Sequence, residues 1–257
     1  MPGDIVNYTL PLLAMLLVPG IASAAELHVS HAGVVEPDAE LRATVAELSA
    51  LATKARARDI RKVEAFFAPD VKSFVRSLDP FQPWKQVDDI SGEYLAGVAN
   101  IMVEQGELAA GMPVPDYRLE AMKMIAALIA DGNVFGTLDD APGAVCAPAA
   151  YKVDRMAALA FAKTFELDAY SLRFYGADVL LAEKPKAEKG RVVPANSLIM
   201  FDYRPDLPEG WGYYETAGGV KGYMADREDT LGLSQNHVCF AKVKGKYRIS
   251  AVFGYGL

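Results

Sequence analysis

The hydrophobic period of this chain changes near Tyr170, and that change limits the folds open to it more than any other feature. Before it, apolar residues recur at spacings of three and four. After it they tend to alternate, and short runs are separated by turn residues. The first spacing puts side chains on one face of a helix, and the second puts them on one face of a strand. The expected class is therefore α+β, with a mainly helical region over residues 38–168 and a strand-rich domain over 169–257. Thirteen of the chain's aromatic residues fall after position 169, which suits short strands packed around a small core.

In the first region Asp38 is placed to cap a helix with the stripe Leu41, Val45, Leu48, Leu51, Ala52 and Ala55. Residues 60–67 read as a short second helix that Pro69 ends. Residues 70–92, with Pro80, Pro83 and Gly92 among Phe74, Val75, Phe81 and Trp84, read as irregular chain pinned by aromatics. Further helices are expected over 93–109, from Asp116 to a stop at Gly132, and over 154–165. Residues 136–150 read as a loop around Cys146. In the second region strands are expected over 171–175, 178–182, 197–203, 211–215, 221–225, 237–243 and 246–253. In the last of these Tyr247, Ile249, Ala251 and Phe253 share one face, so it reads as a half-buried strand that closes the structure.

Residues 1–24 have the form of a signal peptide. An apolar run over 10–18 is followed by Pro19-Gly20 and then Ala22-Ser23-Ala24, the small-x-small pattern of a cleavage site. The run is too short to span a bilayer comfortably, and a retained membrane anchor is the alternative. The leading residues depart from the usual pattern, with Asp4 and no Lys or Arg. Residues 25–37 read as a linker, and the implied address is periplasmic or secreted. Two cysteines, Cys146 and Cys239, suit an oxidising compartment, where an even count points to a disulfide. The alternative is two separately buried thiols.

A net charge of -7 and a pI near 5.1 argue against nucleic acid as a partner, because phosphate contacts need clustered cations. The basic stretches at 54–62 and 242–248 read as solvated faces. No phosphate loop, dinucleotide fingerprint, serine-hydrolase elbow or zinc-protease helix occurs, and no cofactor is implied. His28 and His31 alone are a weak metal signal, and the paired acids Asp88-Asp89 and Asp139-Asp140 read as solvated, so no metal site and no catalytic residue is assigned. His237 and Cys239 share a strand face, the one arrangement that resembles a nucleophile with its base.

The C-terminal residues resemble a known family. Gly176-Ala177-Asp178-Val179, a polar excursion, then Gly210-Trp211-Gly212-Tyr213-Tyr214 and Gly222-Tyr223-Met224 are similar to the strands of bacterial SH3 (SH3b) domains. The ending Cys239-Phe240 through Gly245-Lys246-Tyr247-Arg248-Ile249 is similar to a hairpin in exported bacterial proteins that contain such a domain. Glu183-Lys184-Pro185 replaces the family's usual element after the first strand. The resemblance implies an SH3-like small β-barrel over 169–257, with Trp211 and Tyr223 packed from neighbouring strands. It also implies a groove in which Tyr203, Trp211, Tyr213, Tyr214 and Tyr223 bind a ligand, with Asp202, Asp206 and Glu209 as an acidic rim. Trp211 and half of these tyrosines fit a barrel core equally well.

The function expected on this basis is non-enzymatic binding in the cell envelope, to a peptide, peptidoglycan or another envelope protein. Two alternatives stand beside it: a cysteine-class cell-wall peptidase or amidase, and a periplasmic inhibitor or immunity protein.

Overall fold

The structure, a computed structural model, describes residues 26–87, 90, 93–102, 114–130, 133–204, 206–227 and 229–255. The signal-peptide reading of 1–24 lies outside these residues. In chain order the elements are β1 (Ser30–His31), α1 (Ala39–Ala52), α2 (Ile60–Glu64), β2 (Phe67–Arg76), β3 (Lys85–Val87), α3 (Tyr94–Met102), α4 (Val114–Leu128), β4 (Val145–Ala147), β5 (Tyr151–Lys152) and α5 (Arg155–Lys163). They continue with β6 (Arg173–Tyr175), β7 (Val179–Ala182), β8 (Gly190–Val193), β9 (Ile199–Phe201), β10 (Trp211–Thr216), β11 (Lys221–Ala225), β12 (Thr230–Gly232), β13 (His237–Val243) and β14 (Lys246–Tyr255). A five-stranded sheet has the order β3-β2-β14-β13-β4, and a seven-stranded sheet has the order β12-β6-β9-β10-β11-β7-β8.

This arrangement corrects the expected α+β plan of a helical region followed by a closed SH3-like barrel. The last two strands do not close anything: they leave the seven-stranded sheet and enter the sheet of the first half. β14 runs parallel to β2, setting Phe253 beside Phe74 and Tyr255 beside Arg76, and β13 runs antiparallel to β4. The physical reason lies in β14 itself, which is apolar on both faces. Ile249, Val252 and Phe253 are wholly buried and Ala251 is nearly so. A strand of that kind needs a layer on each side.

The expected single apolar face of β14 also fails, and a bulge explains why. Cys239 pairs with Ala251 and Phe240 with Ile249, which leaves Ser250 without a counterpart opposite. The extra residue reverses the alternation. Ile249 and Val252 therefore pack with the helices, while Ala251 and Phe253 pack on the far side with Phe74 and Trp84.

The helical layer is built from α1 to α4, whose Leu41, Leu48, Val63, Leu95, Met122 and Ile125 meet the sheet. Asp38 caps α1 as expected, accepting from the Leu41 N–H at 2.8 Å, and Asp154 caps α5 through the Ala157 N–H. Pro69 does not end a helix. It lies within β2 where the register with β14 breaks between Phe67 and Lys72, an irregularity that tolerates proline. The chain after it, expected to be irregular, forms the rest of β2.

The seven-stranded sheet curls around Tyr175, Val179, Leu181, Ile199, Tyr214 and Met224. It is open, with β12 and β8 at its edges. α5 covers its other face, where Phe161 packs with Leu172, Phe174, Leu198 and Met200. The segment read as a linker is woven into this unit. Val29 is buried and donates its N–H to Asn196, Leu198 donates to Leu27, and β1 pairs with β5.

Cys146 and Cys239 lie directly opposite each other on β4 and β13, are wholly buried, and form a disulfide across 93 residues of chain. A closed loop of that length restricts the unfolded chain by about 4–5 kcal/mol. Replacing both by alanine is expected to lower unfolding free energy by about 3–5 kcal/mol in a urea titration. Gly254→Ala tests the contact between α3 and β14, because a Cβ there would overlap the Ile101 carbonyl. It is expected to cost about 1–3 kcal/mol in the same titration.

Candidate functional site

Alternation along β10 divides the five aromatic residues singled out from the sequence. Trp211, Tyr213 and Glu215 point to one side, and Gly212, Tyr214 and Thr216 to the buried side. β11 lies antiparallel with Tyr213 opposite Tyr223 and Trp211 opposite Ala225, so the two strands are neighbours as expected. Tyr213 and Tyr223 meet edge to face at 4.9 Å, and the Arg204 guanidinium sits 3.5 Å over the Tyr213 ring. Trp211, Tyr213 and Tyr223 are half-buried on this outer face of the curled sheet, and Tyr203 is 77% exposed in the chain after β9.

Tyr214 departs from the group. It is 8% exposed and packs inside the curl against Phe201. Burial pushes its hydroxyl pKa well above the ordinary value, so it stays protonated and serves the core. Of the acidic residues, Asp202 pairs with Arg204 at 3.3 Å, whereas Asp206 and Glu209 are exposed. Gly222 lets β11 approach β7, since a Cβ there would lie 2.7 Å from the Ala182 carbonyl oxygen. The five residues thus form a surface platform of three rings with Tyr203 nearby, and one core residue.

A second site was not visible in the sequence. Between the five-stranded sheet and the β1–β5 pair, a cleft of about 450 Å³ is lined by Arg76, Trp84, Tyr151, Gln235 and His237, and by exposed charged residues. Arg76 ends β2. Its guanidinium lies 4.0 Å from the centre of the Trp84 ring and 4.8 Å from that of Tyr255, and donates to the Pro80 carbonyl at 2.7 Å and to the Tyr255 hydroxyl. Burial lowers its pKa to about 10, an effect opposed by Asp79 and Asp140, so it remains a cation at neutral pH.

His237 was a candidate base for Cys239, but it faces elsewhere. It is 1% exposed, its Nδ1–H donates to the Pro148 carbonyl at 2.8 Å, and its ring meets Trp84 edge on. Burial, helped by the charge of Arg76, lowers its pKa to about 4, so the ring is neutral at pH 7. Both sulfurs are held in the disulfide, which leaves neither as a thiolate for nucleophilic attack. His28 bridges to Ser197, and His31 is held by the Ala149 carbonyl and the Tyr151 ring. Among the described residues no group of three or more His, Cys, Asp or Glu is arranged to hold a metal ion.

Comparison with known proteins finds no matching family model, no matching curated protein and no matching solved structure. The site is therefore argued from its residues alone. Among the described residues no helix is long and apolar enough to cross a membrane, and the disulfide is compatible with a periplasmic or extracellular setting.

His237 makes the fold sensitive to acid in a defined window. Its folded pKa lies below the ordinary 6.5, so the unfolded chain binds the extra proton first. Its contribution is complete above pH 6.5 and is lost as pH falls toward 4. The loss is expected to reach about 3 kcal/mol. The lowered carboxylates Asp38, Asp59 and Asp229 contribute fully above their ordinary value of 3.8 and lose that contribution only as pH falls below it, outside the His237 window. His237→Gln, which keeps a donor for Pro148, is expected to flatten the stability curve between pH 6.5 and 4 in urea titrations.

Proposed function

We propose that this protein is a non-enzymatic binding protein of the cell envelope that holds peptidoglycan on the outer face of β10 and β11. The observation that carries this reading is the cluster of Trp211, Tyr213 and Tyr223 on the solvent side of two neighbouring strands. Rings held in this way offer flat, rigid apolar area with little entropy to lose on binding. Such surfaces stack against the apolar faces of sugars and the backbone of extended peptides. Arg204 over Tyr213 and the exposed Tyr203 extend the platform, and Asp206 and Glu209 suit the free amines of wall peptides. Trp211, Tyr213 and Tyr223, which supply this face, fall within two of the segments that resemble SH3b strands.

The cysteine-hydrolase alternative lacks its thiolate for as long as the disulfide stands. The inhibitor alternative is selected by no particular residue.

Co-sedimentation of the mature chain with purified peptidoglycan tests the reading. Trp211→Ala with Tyr223→Ala removes two outward rings without opening the core, and is expected to reduce recovery about tenfold. Equal recovery of the wild-type chain with and without the polymer overturns the proposal. Binding to an isolated peptide or an envelope protein but not to the polymer would overturn the choice of ligand.

A further inference from the structure

We propose that the cleft between the five-stranded sheet and the β1–β5 pair binds a short peptide as a zwitterion, its carboxylate held by Arg76, Lys152 and Arg155 and its ammonium by Asp139 and Asp140. This site is separate from the outer aromatic face and does not depend on it.

The charges argue for it first. Three cations and two carboxylates line one cleft, yet none of the five makes an ion pair among the described residues. Elsewhere the same chain pairs its charges readily, as in Lys242 with Glu40 at 2.7 Å and Lys123 with Glu120 at 2.6 Å. Lys152, Arg155, Asp139 and Asp140 are exposed and water can serve them. Arg76 is different: it is half-buried, its hydrogen bonds go to carbonyls and a phenol, desolvation disfavours its charge, and Asp79 and Asp140 act on it only from beyond ion-pair distance. A ligand carboxylate in the cleft would give it a hydrogen-bonded counter-charge, which Asp79 and Asp140 supply only at longer range. The excess of cations also runs against a chain whose net charge is -7.

The walls argue next. Phe81, Trp84 and Tyr151 line the same space, giving apolar surface between polar ends. A volume of about 450 Å³ lies in the range that holds a ligand of a few residues or fewer. A ligand with one negative end, one positive end and a compact body between them is a short unmodified peptide.

The chain has two tryptophans, Trp84 in the cleft and Trp211 on the outer face, so fluorescence can read the cleft by itself. In the mature Trp211→Phe protein, titration with trialanine is expected to give a saturable change in Trp84 emission. N-acetyl-trialanine, which lacks the cation, and trialanine amide, which lacks the anion, are each expected to bind about fivefold more weakly. Lys152→Ala with Arg155→Ala is expected to weaken trialanine about fivefold while near-ultraviolet circular dichroism stays unchanged. No saturable response to trialanine, or equal responses to all three peptides, overturns the inference. Peptidoglycan recovery by the Trp84→Phe variant reads the outer face independently, so failure at one site is distinguishable from failure at the other.

Discussion

The parallel contact between β2 and β14 is the interaction on which the rest of the structure depends. It joins residues 67–76 to residues 249–255 and so brings the end of the chain into the sheet of its first half. Parallel pairing requires a long connection, and here the connection is most of the protein. Everything between the two strands must be folded back for the contact to form, which makes the two sheets one cooperative arrangement. Two ladders away in the same sheet, the disulfide ties β13 to the edge strand β4.

The cleft is a product of that pairing. Register sets Tyr255 beside Arg76 and Phe253 beside Phe74. Phe74 and Phe253 stack at 4.4 Å, Trp84 meets Phe253 at 5.1 Å, and the Arg76 cation lies over the neighbouring rings of Trp84 and Tyr255. A continuous run of rings thus leads from the core to the floor of the cleft, and a buried cation is fixed at its end. The cation–π contacts and carbonyl acceptors hold the guanidinium in place, but they do not neutralise it. His237, dehydrated beside the same rings, stays neutral for the same reason that Arg76 is strained toward losing its charge.

The outer face of β10 and β11 depends on a simpler constraint. Successive side chains on a strand point to opposite sides, so Tyr213 and Tyr214 separate into surface and core although they are adjacent. Gly222 lets β11 pair closely with β7 beside it, where a Cβ would meet the Ala182 carbonyl oxygen.

The local content of the chain was legible. The helix cap at Asp38, the apolar stripe of α1, the presence of α5, the strands at 211–215 and 221–225 and the cysteine pair follow from periodicity, capping chemistry and count, whereas the buried face of α5 is Ala158, Phe161 and Ala162 rather than the stripe through Met156. Such features are set by neighbours within a few residues. The bulge at Ser250, the entry of β14 into the first sheet and the strand around Pro69 were not legible, because each is decided by what lies across a ladder rather than along the chain. The cleft was hidden for the same reason: Arg76, Trp84, Tyr151 and His237 share no spacing, and only the folded sheets bring them together. Sequence alone determined most of the helices, most of the strands after residue 170 and which side chains can stack, pair or carry charge, but not the strands β2 to β4. Tertiary structure decided which strands are neighbours, since a doubly buried strand such as β14 takes whichever partner lets it leave water on both faces.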